Sequence, residues 1–296
     1  MKRDAFHDNG GSRSSIAAPV PPKGSSIVVL TDLDGTLLDH DTYDWHAAQS
    51  ALDLCRLRNI PVVLVSSKTR AEMDVLRRTL ALADPFISEN GGGIFFPGEM
   101  AESPPQQAQP ERGLWKWTLG SPYGDVVSAL KRIRKRLKWK ITGFADMSVD
   151  EISTHTGLDR ASARLAAMRE FDEPFLVHSP SRPDERLLNE AASDEGLSLS
   201  LGGRFRHLHG KSDKGRAVEK LLAWYGCRHR DLVSVGLGDS PNDFPMLERV
   251  DVPILVRSTK EYPDLGKRIP RIRMTRLTGP AGWNEAVLEI LRDALP

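Results

Sequence analysis

Two aspartates follow directly on the first apolar run of the chain. The segment VVLTDLDGTLLD at residues 28–39 places Asp32 and Asp34 two residues apart, where a predicted strand ends. Such side chains project to the same side of an extended segment, and ligands of open α/β sheets bind at the carboxyl ends of strands. A second pair, Asp239 and Asp243 in SVGLGDSPND, follows another predicted strand. Clustered carboxylates need a neutralising cation, and hard oxygen ligands suit Mg²⁺.

Hydroxyl and ammonium groups stand at two further element ends. The apolar run VVLV is followed by Ser66 and Ser67, whose hydroxyl and backbone donors suit phosphate oxygens. Lys214 opens a predicted helix, where its charge can offset a phosphate or a nucleophilic carboxylate. The order acid pair, hydroxyl, lysine, acid pair indicates phosphoryl transfer, in which a carboxylate can act as nucleophile with Mg²⁺ beside it.

The elements that must position these residues alternate along the chain. Apolar runs predict strands at residues 27–31, 60–65, 86–88, 231–238 and 252–256. Helical spacing of apolar residues predicts helices at residues 43–59, 69–82, 212–226 and 283–295. Continuous apolar strands alternating with helices predict an α/β fold, with a parallel sheet covered on both faces.

The alternation stops at a polar, proline-bearing loop at residues 100–113. Residues 92–205 predict a smaller α+β insertion, with helices at 122–138 and 158–170 and the apolar segments KWKITGF and PFLVHS. The core domain is therefore predicted to be split into residues 26–91 and 206–296. Residues 1–25, rich in Gly, Ser and Pro, predict a disordered tail.

Composition excludes several classes of protein. A formal net charge of +1 over 296 residues provides no global field for nucleic acid or an anionic membrane. The cysteines, Cys55 and Cys227, lack metal-site spacing, which argues against a disulfide scaffold and favours a reducing compartment. The apolar run at residues 60–65 is too short to cross a bilayer. We expect a cytoplasmic protein without a membrane partner.

Two patterns invite other interpretations. KRIRKRLKWK at residues 131–140 holds seven basic residues in ten, but Leu130 and Ile133 recur at helical spacing. The charges are predicted to form the solvated face of an amphipathic helix, with no nucleic-acid partner. The DxDG sequence also begins calcium loops, but position six is Leu37 and position twelve is Tyr43, where glycine and glutamate are required.

The motifs together resemble a known family. DLDGT at residues 32–36, Ser66, Lys214 and GDSPND at residues 238–243 resemble the four motifs of the haloacid dehalogenase superfamily. The insertion resembles the C2-type α/β cap of one subclass, which implies a Rossmann-like core. SSKTRAE, ENGGGI, REFDEPF and GGRFRHLHGKSDKG resemble the mannosyl-3-phosphoglycerate phosphatases. The resemblance extends over about residues 27–257.

The resemblance implies catalytic roles. Asp32 would attack phosphorus, and Asp34 would protonate the leaving alkoxide and then deprotonate the hydrolytic water. Thr36 and Ser66 would orient the phosphoryl group, and Lys214 would hold charge near it. The implied ligands and supports of Mg²⁺ are Asp32, the Asp34 backbone carbonyl, Asp239, Asn242 and Asp243.

The resemblance also implies a small-molecule substrate, a phosphorylated sugar-glycerate, hydrolysed with Mg²⁺. Candidate substrate-binding residues are Ser67, Lys68, Glu89, Asn90, Gly91, Arg169, Glu173, His178 and Arg204. A sugar phosphomutase, a broad sugar-phosphate phosphatase and a non-catalytic sugar-phosphate sensor remain alternatives, although a sensor has no need of Asp34. The choice between mannose and glucose and the oligomeric state stay open.

Overall fold

The structure is a computed structural model that describes residues 22, 24–100, 103–179, 183–202 and 205–294. Most of the predicted tail, residues 1–21 and 23, lies outside the described residues.

Strands and helices follow one another along the described residues. The strands are β1 (Ser26–Thr31), β2 (Val62–Val65), β3 (Phe86–Ser88), β4 (Gly93–Pro97), β5 (Gln109–Glu111), β6 (Leu114–Thr118), β7 (Lys140–Gly143), β8 (Asp172–Ser179), β9 (Ser198–Gly202), β10 (Phe205–His209), β11 (Leu232–Gly238), β12 (Val252–Arg257) and β13 (Arg273–Thr278). The helices are α1 (Gln49–Leu57), α2 (Arg70–Thr79), α3 (Tyr123–Leu137), α4 (Val149–Thr156), α5 (Arg160–Ala166), α6 (Glu185–Asp194), α7 (Lys214–Gly226), α8 (Phe244–Leu247), α9 (Leu265–Arg268) and α10 (Gly279–Ala294).

The strands form two separate sheets. The large sheet has the order β13-β12-β11-β1-β2-β3-β4-β6-β5. Its strands from β13 to β3 are parallel, and β4, β6 and β5 extend it in antiparallel fashion. The small sheet, β7-β8-β10-β9, is antiparallel throughout. The predicted fold, a parallel α/β core with an inserted α+β unit, is confirmed.

Helices cover both faces of the large sheet because its strands are apolar on both sides. In β1, Val29 packs with residues of α1 and α10 on one face. The neighbouring Val28 and Leu30 pack with α7 on the other face. This sandwich is what a run of alternating, fully buried side chains requires, and it holds the carboxyl ends of the strands in fixed relation. Those ends carry the candidate site.

The division of the strands between the two sheets differs from the predicted domain boundaries at residues 92 and 205. The strands β4, β5 and β6 lie in the large sheet, whereas most of β10 falls in the small one beyond the predicted boundary. The strand β4 joins the large sheet because its side chains are buried on both faces. Ile94 and Phe96 pack in the core on the α7 face, and Phe95 packs in the core on the α1 and α10 face, as in the parallel strands. The polar loop is thus a connection within the large sheet. We propose that the domain boundary lies at two crossing segments, residues 119–122 and 210–213.

These two crossing segments lie side by side. The backbone amides of Leu119 and Gly120 donate to the Gly92 carbonyl at 2.9 and 2.7 Å. A Cβ on Gly210 would stand 2.7 Å from the backbone nitrogen of Ser121, so only glycine fits there. The chain therefore enters and leaves the small-sheet unit at one place.

The small-sheet unit, residues 123–209, has its own core. Helices α3 and α6 pack on the face that carries Phe175, while α4 and α5 pack around Phe144 and Phe205. The predicted helix at 158–170 is wrong beyond Ala166, because the chain turns there to bring the amides of residues 170–172 to Glu89. Helices α4 and α6 were not predicted.

Candidate active site

The turn after β1 holds the first acidic pair. Asp32 is buried, and its backbone amide donates to the Leu237 carbonyl of β11 at 2.9 Å. Gly35 has a φ of +81°, a left-handed conformation that residues with side chains rarely adopt. A Cβ at Gly35 would also stand 2.9 Å from Asp239 Oδ2. Glycine is therefore needed both to turn the chain and to leave room for the second acidic pair.

A buried ammonium group links the two acidic pairs. Lys214 begins α7 and is 2% exposed. Its Nζ lies 2.6 Å from Asp32 Oδ1 and 2.6 Å from Asp243 Oδ1. Burial alone would lower the pKa of Lys214, but the two carboxylates outweigh it and raise the pKa above its ordinary value. Lys214 therefore stays charged.

The turn after β11 is built around Asp243. Its Oδ2 accepts hydrogen bonds from the amides of Asp239 and Ser240 and from the Ser240 hydroxyl, at 3.0–3.1 Å. Its Oδ1 binds Lys214, so both oxygens of Asp243 already have partners within the protein. Burial and the charge of Asp243 raise the pKa of Asp239 to about 6. Such a rise is expected where like charges meet without a sufficient counter-ion.

The same place offers oxygens suited to a divalent cation. One oxygen each from Asp32, Asp239 and Asp243 lie within 4.8 Å of one another. Burial and the charge of Asp243 raise the pKa of Asp32 well above its ordinary value. Within the described residues, Asp34 Oδ1 and Thr36 Oγ1 are buried without a hydrogen-bond partner. Hard oxygens, excess negative charge and unpartnered buried acceptors together fit a hard divalent cation.

The loop after β2 brings Ser66 and Lys68 to the first acidic pair. Ser66 is 1% exposed, and its Oγ accepts a hydrogen bond from the Lys68 amide at 3.2 Å. Lys68 Nζ lies 2.9 Å from Asp34 Oδ2 and 5.1 Å from the centroid of the Tyr43 ring. Lys68, predicted to bind substrate, thus contacts the predicted acid/base.

Residues 89–91 form a left-handed turn beside this loop. The φ angles of Glu89, Asn90 and Gly91 are 48°, 57° and 93°. The Glu89 carboxylate accepts the backbone amides of residues 170–172 at 2.9–3.1 Å, and burial raises its pKa to about 7. A Cβ at Gly91 would stand 2.2 Å from the Asp213 carbonyl oxygen. Glu89 thus holds the small-sheet unit against the core, and Gly91 lets the turn pack closely against the start of α7.

Arg169 joins the same contact. Its Nη1 donates to the Ser67 carbonyl at 3.2 Å, its Nε lies 3.4 Å from Glu89 Oε2, and its Nη2 lies 3.0 Å from Asp172 Oδ1. Burial opposes ionisation of Asp172, but His207, 2.9 Å away, and Arg169 outweigh it and lower the pKa of Asp172. Sequence reasoning missed Asp172 and His207. The available signal was an acidic residue at the start of an apolar strand.

Three predicted substrate ligands lie apart from this cluster or cannot be placed. Glu173 is buried within the small-sheet unit, where Tyr123 Oη donates to its carboxylate at 2.6 Å and the Ala145 amide at 3.0 Å. His178 is exposed and lies five residues farther along β8, about 17 Å at the usual rise of a strand. Arg204 lies outside the described residues.

Two of the cavities lined by described residues lie beside the large sheet. One, of about 400 Å³, lies between the core and the α4–α5 corner and is lined by residues that include Tyr43, Lys68, Glu72, Asp159 and Ser162. It shares Lys68 with the acidic cluster. The other, of about 360 Å³, lies where β2 and β3 begin and has none of the predicted site residues in its lining. Of these two cavities, only the first adjoins the acidic cluster.

The fold and the acidic cluster agree with a family match. The sequence pattern of the family of haloacid dehalogenase-like hydrolases matches residues 29–109 and 186–262 of this chain. The chain belongs to this family, as its motifs indicated.

Particular relatives narrow the comparison. The chain is 41% identical over 270 residues to a glucosyl-3-phosphoglycerate/mannosyl-3-phosphoglycerate phosphatase of Methanococcoides burtonii, a match that covers 89% of this chain and 97% of the relative. A protein of the same name from Persephonella marina is 38% identical over 270 residues, a match that covers 90% of this chain and 98% of the relative.

A solved structure agrees with the fold. A Thermoplasma acidophilum protein superposes with a TM-score of 0.64 at 19% identity, covering 90% of this chain and 98% of its own. No helix in the described ranges is long and apolar enough to cross a membrane.

Proposed function

We propose that this chain is a Mg²⁺-dependent phosphatase that hydrolyses glucosyl- or mannosyl-3-phosphoglycerate to the glycosylglycerate and inorganic phosphate. Two relatives that match about nine-tenths of the chain carry that name. The structural observation that carries the proposal is the buried contact of Lys214 with Asp32 and Asp243, 2.6 Å to each carboxylate. Because the ammonium binds Oδ1 of Asp32, we assign the attack on phosphorus to Oδ2.

The reaction has two steps. Asp32 Oδ2 forms a bond to phosphorus while the bond from phosphorus to the glycerate oxygen breaks, and Asp34 gives a proton to the leaving alkoxide. Asp34 then takes a proton from water, whose oxygen attacks the same phosphorus, and the bond to Asp32 breaks. Lys68 supports this role because its ammonium fixes one oxygen of Asp34 at 2.9 Å.

The remaining predicted residues surround the phosphoryl group. Thr36 Oγ1, buried without a partner among the described residues, and Ser66 at the end of β2 are suited to its oxygens. When bound, Mg²⁺ would supply the positive charge that lets a carboxylate approach a phosphate. Its ligands would be Asp32, Asp239 and the Asp34 carbonyl, with Asp243 holding their turn.

The cavity of about 400 Å³ beside Lys68 is the proposed place of the glycosylglycerate. Its volume is within the range of small-molecule pockets. Ser162, Asp159 and Glu72 are among its lining residues, and hydroxyl and carboxylate groups of this kind can exchange hydrogen bonds with a sugar. A glycosylglycerate bound in this cavity would lie between the core and the small-sheet unit. Movement of the small-sheet unit towards the core would then exclude bulk water from the substrate.

We also propose a cytoplasmic location. Cys55 and Cys227 are both free thiols, which supports a reducing compartment.

The test is phosphate release in Mg²⁺ from a panel of substrates. Mannosyl- and glucosyl-3-phosphoglycerate are compared with free 3-phosphoglycerate and simple hexose phosphates, with Asp32→Asn as the inactive control. We expect rapid release from the glycosylated substrates alone, and a loss of at least about a thousandfold in Asp32→Asn.

Each alternative has its own outcome. Slow release from every substrate would indicate a broad sugar-phosphate phosphatase. Transfer of phosphate to a second sugar hydroxyl without release would indicate a phosphomutase. Binding without turnover would indicate a sensor and would overturn the proposal.

A further inference from the structure

A chain of hydrogen bonds runs from the turn after β11 into the small sheet. Asn242 Nδ2 donates to Asn90 Oδ1 at 2.8 Å, and Asn90 Nδ2 donates to Asp172 Oδ2 at 2.7 Å. His207 Nδ1, on β10, lies 2.9 Å from Asp172 Oδ1. Asn90 and Asp172 are 2% and 0% exposed. The path therefore crosses buried space from the acidic turn to the other sheet.

The direction of each hydrogen bond follows from chemistry. Asp172 is ionised beside Arg169 and can only accept, so the side of Asn90 that faces it must be the NH₂ group. The carbonyl oxygen of Asn90 then faces Asn242 and can only accept. Both polar ends of Asn90 thus have a partner within the protein, which favours a structural role for this side chain over substrate binding.

The backbone of Asn90 is fixed as well. Its φ of 57° and ψ of 31° are left-handed, a conformation that asparagine tolerates better than most residues. Its amide donates to the Ser66 carbonyl at 3.1 Å. A side chain anchored at both ends on an anchored backbone can transmit position from one neighbour to the other.

We propose that Asn90 is a positioning residue, which holds the 239–243 turn in its metal-binding position and ties that position to the small sheet through Asp172. The inference rests on the proposed function in one respect, the binding of Mg²⁺ by this turn. It replaces the predicted role of Asn90 as a substrate ligand. It also makes the metal site sensitive to how the small-sheet unit sits on the core.

The first test measures Mg²⁺ binding itself, by calorimetric titration of the substrate-free full chain. Asn90→Gly removes the side chain without straining the left-handed backbone. We expect Mg²⁺ to bind about tenfold more weakly, the usual effect of losing a group that orients metal ligands. KM at saturating Mg²⁺ should stay within about twofold, since no substrate contact is lost.

A paired substitution separates positioning from simple stability. Asn90→Asp alone sets two carboxylates against each other in a buried place and should weaken Mg²⁺ binding at least as much as Asn90→Gly. Adding Asp172→Asn reverses the roles, because the amide introduced there can donate through its nitrogen to the new carboxylate while its oxygen still accepts from His207 and Arg169. We expect the double variant to recover Mg²⁺ affinity to within about threefold of the unmodified protein.

The outcomes that overturn the proposal are distinct. Unchanged Mg²⁺ affinity in Asn90→Gly, with a raised KM, would return Asn90 to substrate binding. A double variant no better than Asn90→Asp would show that the bridge does not act through its hydrogen bonds. Should Asn90→Gly fail to fold, the comparison of Asn90→Asp with the double variant tests the same bridge, and the double variant must bind Mg²⁺ more tightly than Asn90→Asp.

Failure of the proposed function would give a different experimental result. A protein that binds Mg²⁺ with the expected variant pattern but releases no phosphate would sustain the inference and refute the phosphatase.

Discussion

Three carboxylates share one ammonium group in the acidic cluster, and this imbalance governs the behaviour of its residues. Lys214 compensates part of the charge of Asp32 and Asp243, while Asp239 keeps a raised pKa of about 6. The sequence was sufficient to predict this meeting, because parallel strands bring their carboxyl ends to one edge. It was not sufficient for Asp172, since a contact between residues 90 and 172 depends on how two units pack.

The first prediction concerns metal binding and stability. In the proposed function Mg²⁺ binds the acidic cluster, which forms only in the folded chain, so a Mg²⁺ concentration of 100 times the dissociation constant should stabilise the protein by about 2.7 kcal/mol. At this chain length we expect Tm to rise by about 4 °C in a thermal melt at neutral pH.

Asp239→Asn is the matched control for that melt, because it removes one metal oxygen and keeps the shape. It should lose most of the rise. An equal rise in both proteins would place the cation elsewhere.

The second prediction concerns Glu173 and pH. Burial raises its pKa from about 4.5 to about 7, and hydrogen bonds from Tyr123 and the Ala145 amide do not restore it. A carboxyl whose folded pKa is raised contributes stability below pH 4.5 that is lost as the pH rises through 7. The loss should be on the order of 3 kcal/mol.

Glu173→Gln removes this titration while keeping partners for both neighbours, since its Nε2 can donate to Tyr123 Oη and its Oε1 can accept from Ala145. Urea unfolding at pH 4.5 and pH 8 should show a smaller fall in the variant than in the unmodified protein. Parallel pH dependence in the two proteins would contradict the assignment.

Among the elements, the parallel strands from β12 to β3 were the most predictable, whereas the edge strand β13 and the antiparallel extension were not predicted. The apolar runs of β1, β2 and β11 are buried on both faces, which is the pattern that predicts them. By contrast, β5 is three residues long and has no buried residue, so its sequence shows no alternation of apolar and polar side chains that would predict a strand. Its place is decided by pairing with β6, a contact between strands that no local pattern encodes.

The third prediction concerns the turn after β1, where Gly35 packs against Asp239 of the second acidic pair. Gly35→Ala must strain a backbone at φ +81° and place a Cβ 2.9 Å from Asp239 Oδ2. The strain should lower the free energy of unfolding by about 1 kcal/mol. Displacement of Asp239 should raise the Mg²⁺ concentration for half-maximal activity about tenfold.

Gly113→Ala separates the two effects. Gly113 has a φ of +80° with nothing within 4 Å of a Cβ, and it lies in the β5–β6 connection. It should show the same loss of stability in urea unfolding and an unchanged Mg²⁺ requirement. Equal Mg²⁺ requirements in the two variants would remove Asp239 from the metal site.

At the scale of the whole molecule, three arginines on the charged surface of α3 form ion pairs within the chain. Arg132, Arg134 and Arg136 pair with acidic residues of the small-sheet unit, each at 2.7 Å. Ion pairs at the surface leave little net field for an external polyanion.

The fourth prediction follows from that pairing. We expect no shift of DNA or RNA on a native gel at about 0.15 M salt. A shift at this ionic strength that weakens steadily with added salt would restore the basic segment as a nucleic-acid site.

The side-by-side crossing segments, residues 119–122 and 210–213, also bear on how this architecture can evolve. Since Gly210 has room for no side chain against Ser121, the insert is joined to the core through one narrow passage. A different insert, or a much shorter one, can be spliced at these two points without shifting the register of any strand in the large sheet. Selection for new substrates can therefore act on the insert while the strands that precede Asp32 and Asp239 keep their register in the large sheet.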